Sequence, residues 1–129
     1  MFAWMLIMLL ESVHGALREI FIAPQIGDLH ARQLGVLVGS GIVFAVAWIL
    51  IRWIGVRDRQ RLLLVGALWV ALTLCFEIAL GRAIGASWER ILSDYNPLRG
   101  GFMVLGLAFM WVAPLLAARS RSLTTGGRP

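Results

Sequence analysis

The chain has 129 residues, 60% of them hydrophobic and only 15% charged, with a mean hydropathy of +0.82 and a net charge of +5. A soluble domain carries roughly 45–50% apolar and 25% charged residues, so the balance excludes an ordinary soluble fold and predicts one all-α integral membrane domain. The positive excess does not point to nucleic acid, because most of it lies in short segments flanking apolar runs, where it sets orientation.

Four apolar stretches follow one another at about residues 2–22, 33–51, 62–80 and 101–118. Each is near the ~20 residues a helix needs to cross the hydrocarbon core, and helices are demanded because lipid offers no partner to free backbone groups. The sequence thus predicts a polytopic four-helix transmembrane domain over residues 1–121 and a flexible tail over 122–129. The first stretch resembles a signal-peptide core. It lacks the basic leading region and carries Glu11 at its end, so it reads as a retained span.

All twelve cations are arginines, a usage that fits a GC-rich bacterial genome. Seven of them (Arg52, Arg57, Arg59, Arg61, Arg119, Arg121 and Arg128) lie in the loop between spans two and three or in the C-terminal segment. Five (Arg18, Arg32, Arg82, Arg90 and Arg99) fall on the opposite side. The positive-inside rule then predicts a bacterial inner-membrane protein with both termini in the cytoplasm. Trp48 and Trp53 sit at the inner level and Trp88 and Tyr95 at the outer one, where amphipathic aromatics belong. Residues 82–92 read as a short interfacial helix with Ile84, Trp88, Ile91 and Leu92 on its apolar face. A fresh turn starting at Ser87 is the alternative.

Charge inside the spans is the most informative feature. Glu11 and Glu77 lie at membrane depth, where ionisable groups are costly and are usually paired or functional. Glu11, His14 and Arg18 are spaced i, i+3, i+7 and share one helix face, with Gly15 on the same stripe. Thr73, Glu77 and Gly81 form the matching stripe on span three, and Arg82 points elsewhere unless the helix breaks near Gly81. A shift of 66 residues aligns Glu11 with Glu77, Gly15 with Gly81, Asp28 with Asp94 and Gly35 with Gly101. This predicts a two-fold repeat of a helix–loop–helix unit, its pseudo-axis along the membrane normal. Chance coincidence in a composition this apolar is the alternative.

Glu11, His14, Arg18, Glu77 and Arg82 are therefore the expected lining of an outward-facing polar pocket that binds a substrate or ion, with Asp28, Arg32, Asp94 and Arg99 at its mouth. Buried Glu–Arg pairs that merely hold helices in register would leave the same trace. Glu11 and His14 have the Glu-x-x-His spacing of di-iron bundles. The repeat partner of His14 is Leu80, so no metal site and no cofactor is expected. His30 reads as a solvated loop residue and Cys75 as a packed thiol. Gly35 and Gly39 offer a close-packing seam, for a helix of the same chain or for a second copy or partner. Pro114 should bend span four. No nucleotide loop, catalytic triad or paired-cysteine motif is present, and no catalytic residue is expected.

The stretch Glu77-x-x-x-Gly81, Trp88 and Asp94-Tyr95-Asn96-Pro97-Leu98-Arg99-Gly100 resembles small bacterial multi-span membrane proteins of the transporter-permease kind, a poorly characterised group. It covers about a quarter of the chain, and it departs from that pattern in separating Trp88 from Asp94-Tyr95 by five residues. The resemblance implies a permease-like polar pocket. The expected function is a small inner-membrane transporter or channel subunit. The alternatives are a non-catalytic membrane scaffold or accessory subunit and a lipid-modifying membrane enzyme.

Overall fold

A computed structural model describes residues 1–93, 95–99 and 101–125, with the backbone alone for Arg99 and residues 122–125. The described chain is helical and contains no strand. Its elements are α1 (Phe2–Leu17), a π-helical turn (Arg18–Ile22), α2 (Ala23–Ile26), α3 (Asp28–Ile54), α4 (Arg59–Ala83), α5 (Trp88–Ser93), a 3-10 turn (Pro97–Arg99) and α6 (Met103–Thr125).

Three helices are long and apolar enough to cross a membrane: Asp28–Ile54, Arg59–Ala83 and the Met103–Arg121 part of α6. The expected first span is divided. At 16 residues α1 is about 24 Å long, short of the roughly 30 Å hydrocarbon core. The π turn has a local cause in Pro24, which has no N–H to return to the carbonyl of Ile20. The Ala23 N–H reaches back to the Arg18 carbonyl instead, the wider bond of a π turn. Gly27, at φ 87°, then ends α2. Asp28 opens α3, five residues before the expected start of span two.

The other boundaries follow from capping. Gly55 takes the left-handed conformation (φ 71°) that ends α3. Asp58 caps α4, its carboxylate accepting from the Arg61 N–H at 3.3 Å. Gly85, at φ 81°, lies in the break after α4. Ser87 Oγ accepts from the Arg90 N–H at 3.2 Å and starts α5. The fresh turn is what forms, and residues 82–92 are not one helix. Of the four apolar side chains expected on one face there, Ile91 is buried against the bundle while Ile84, Trp88 and Leu92 are exposed. Ile91 sits over Gly81, where a Cβ would stand 3.0 Å from its side chain. α6 continues through buried Pro114 and on to Thr125, past the point where the tail was expected to begin; residues 126–129 lie outside the described residues.

α3 and α6 run side by side at the centre, α1 lies on α3 and α4 lies on α6. Phe2 stacks edge-on against Trp53 at 5.6 Å, and the Arg121 guanidinium lies 4.1 Å from the Trp48 ring. These contacts gather the N-terminus, the end of α3 and the end of α6 at the pole that carries the arginine-rich 52–61 loop. The dry core belongs to that half and includes Ile7, Val43, Ala47, Leu62, Trp69, Met110 and Ala113. The half towards the opposite pole is hollow. Apolar side chains also cover the outside of the helices, Leu9, Leu37, Leu64 and Leu105 among them, a surface suited to lipid. Cys75 is among the exposed residues of α4, not a packed thiol.

The α4–α6 contact is backbone-close. A Cβ on Gly66 would collide with the Trp111 backbone, its carbonyl carbon only 2.7 Å away. The Trp111 indole N–H donates to the Leu63 carbonyl at 3.1 Å. Gly41 has open space around its Cβ position. Gly66→Val should therefore lower stability by about 1–3 kcal/mol through overpacking, and Gly41→Ala should leave it unchanged or raise it by up to about 1 kcal/mol. Thermal unfolding of both variants in one detergent checks the pair.

Candidate functional site

A cavity of about 350 Å³ occupies the hollow half between α1, α3, α4 and α6. Its volume lies within the ~300–1,000 Å³ of ordinary small-molecule sites, which in helical proteins form between bundle helices. Glu11, His14, Gly15 and Arg18 all line it, so the i, i+3, i+7 stripe faces one space. Glu77 lines it from α4 and Arg32 from α3.

The first-helix charges are admitted by the glycines of α3. A Cβ on Gly39 would stand 2.9 Å from both Glu11 carboxylate oxygens, and one on Gly35 would stand 2.8 Å from an Arg18 guanidinium nitrogen. The Gly35–Gly39 seam is thus filled from within the chain. Gly15 does the opposite of what its place on the stripe suggests: nothing lies within 4 Å of its Cβ position. It widens the cavity and does not draw a helix close.

The floor is a hydrogen-bonded chain across three helices. Trp4 Nε1–H donates to Thr73 Oγ1 at 3.1 Å, and the Thr73 hydroxyl points to Met110 Sδ at 3.5 Å. Thr73 is the buried polar residue of the described chain, 3% exposed. Trp4 also packs edge-on against Phe76. Above this floor, Glu11 pairs with His14 Nδ1 at 3.5 Å. Glu77 is exposed and makes no hydrogen bond or ion pair among the described residues. Arg18 has no ion pair either, and its Nε is buried without a hydrogen-bond partner. Ser12, Gln33 and Ser40 add polar groups, while Met8, Val43, Phe76, Leu80, Phe102 and Leu107 supply apolar wall.

At the pole opposite the termini, the Asp28 carboxylate lies 3.0 Å from Arg32 Nε and 3.5 Å from Arg90 Nη2, ion pairs that tie the start of α3 to α5. Asp28 is not on the cavity wall, although its partner Arg32 is. Arg82 is also outside: its Nη1 donates to the Ala86 carbonyl at 3.2 Å and its guanidinium covers Trp88 at 5.1 Å. α4 stays helical through Ala83, so Arg82 keeps the angular offset from Glu77 that five residues impose. Asp94 lies outside the described residues and so does the Arg99 side chain. Tyr95 is half-buried, and burial, with the Glu77 charge adding to it, holds its phenol above the usual range. No group of three or more His, Cys, Asp or Glu that could hold a metal ion occurs among the described residues.

Ser12, Gln33 and Ser40 were not expected at the site. Ser12 and Gln33 adjoin Glu11 and Arg32 in sequence, and Ser40 lies seven residues after Gln33 on the same face of α3; that spacing is the signal that could have found them.

Thr73→Val removes the acceptor for the Trp4 indole and keeps the shape. It should destabilise by about 1–3 kcal/mol, the cost of a buried donor left unsatisfied, and shift tryptophan emission; thermal unfolding followed by fluorescence reads both. No family model, curated protein or solved structure matches the chain, so any reading of this cavity rests on its own residues.

Proposed function

We propose that the chain is a small inner-membrane transporter or channel subunit whose cavity binds the substrate or ion. One observation carries this reading. A bundle otherwise dry and apolar keeps a cavity of about 350 Å³ at membrane depth, with Arg18 and Glu77 on its wall and neither of them ion-paired among the described residues. Structural charges in apolar surroundings are expected to be mutually satisfied. Charges held open to a cavity are what a pathway needs.

In this reading the first helix is a fourth span. Residues 2–26, followed through the π turn, reach about 37 Å, and the π turn sets Arg18 at the cavity. The chain lies in a bacterial inner membrane with the arginine-rich pole and both termini in the cytoplasm, so the cavity belongs to the outer half. Two of the four pairs 66 residues apart, Glu11 with Glu77 and Gly35 with Gly101, line this one cavity, which supports a two-fold repeat. The binding set is Glu11, His14, Arg18, Arg32 and Glu77, with Ser12, Gln33 and Ser40 as polar neighbours. Asp28 acts through Arg32. A homodimer would have to use a surface other than the Gly35–Gly39 seam, which Arg18 and Glu11 occupy. A scaffold or accessory-subunit role is the second reading, favoured by the fit of those same two side chains against glycine.

The Glu→Gln variants separate the two readings. Glu77→Gln and Glu11→Gln should melt within roughly 2 °C of wild type or above it, because a carboxylate kept open for function contributes little to the fold. Scan rate and detergent must be held constant, since unfolding can be irreversible. A clear fall in both would mean that the carboxylates hold the helices together and would move the conclusion to the scaffold.

A further inference from the structure

The charges on the cavity wall do not balance, and the imbalance has a sign. Among the described residues, the charged or titratable groups facing the cavity are Glu11, His14 and Arg18 from the first helix and its π turn, Arg32 from α3 and Glu77 from α4. The stretch 101–110 leading into α6 contributes none. Arg32 is engaged by Asp28 at 3.0 Å. Arg18 therefore stands alone against two carboxylates. With both carboxylates ionised, they outnumber the one unengaged arginine on the wall, an imbalance that is costly away from water.

We propose that the cavity takes an organic cation, with an ammonium head at the level of Glu11 and Glu77 and an apolar body against Phe76, Phe102 and Leu107. This rests on the cavity being the binding site proposed above. The aromatic and aliphatic wall would be left uncovered by a bare metal ion, and no metal-holding group of side chains is present among the described residues. Aromatic faces also favour an organic ammonium over a hydrated inorganic ion. An anion would sit beside Arg18 but would face both carboxylates. The buried, unpartnered Nε of Arg18 is the one feature in its favour.

Calorimetric titration of the purified full chain in detergent with benzyltrimethylammonium and, separately, with benzoate tests the sign. At pH 8 the cation should bind saturably and benzoate should not. Binding should weaken at least tenfold in Glu77→Gln and in Gly15→Leu, which fills the open space without altering charge. Benzoate binding that is lost in Arg18→Gln would overturn the cationic guest and leave the binding cavity standing. Cation binding unchanged in both Glu77→Gln and Glu11→Gln would be adventitious and would also overturn it. If neither probe binds while both Glu→Gln variants melt like wild type, the cationic guest alone is rejected. If neither binds and both variants melt low, the cavity reading falls with it.

Discussion

The absence of two Cβ atoms on α3 decides how this molecule is put together. Gly35 and Gly39 let the Arg18 guanidinium and the Glu11 carboxylate lie flat against the helix backbone, where any side chain would stand within 3 Å of them. Small residues in membrane helices are usually read as places where backbones meet. Here they admit charge. α1 can therefore pack on α3 while turning its most polar face inward, which an aliphatic α3 surface would forbid. Once Glu11 and Arg18 are held there, α4 and α6 close the far side, and the space that remains between the four helices is the cavity.

The bundle is consequently two different structures along its length. Towards the pole with the termini it is a conventional core, with Gly66 pressed on the Trp111 backbone and Ile7, Leu62 and Ala113 fully enclosed. Towards the other pole it is open, polar and lined by charge. Thr73 marks the border. It is a buried hydroxyl that takes the Trp4 indole from one helix and reaches Met110 on another. A rigid half of this kind can hold the side chains of the open half in position while the latter remains free to accept a guest, the division of labour that binding sites commonly need.

Charges at similar depth have different fates because of angle. Glu77 and Arg82 are five residues apart on a continuous helix; the first reaches the cavity and the second lies against Trp88. Asp28 likewise stays outside and holds Arg32, which reaches in. The pole opposite the termini is thus a layer of surface pairs, each worth little by itself, that ties α3 to α5.

Much of this was legible in the amino-acid sequence. Composition determines the membrane class, runs of apolar residues determine the three long helices, and the i, i+3, i+7 spacing determines that Glu11, His14 and Arg18 share a face. These are local properties, set by helix period and by the cost of charge in lipid. Local punctuation was legible at Ser87, which starts a fresh helical turn as its hydroxyl allows. The tertiary structure decided how each helix is rotated about its axis and which face meets which. That rotation turns Gly15 from a packing residue into open space, exposes Cys75 and brings Ser12, Gln33 and Ser40 to the wall. It also presses Gly66 on Trp111. No short-range pattern encodes such a rotation, because it is set by the combined fit of side chains from four helices distant in sequence.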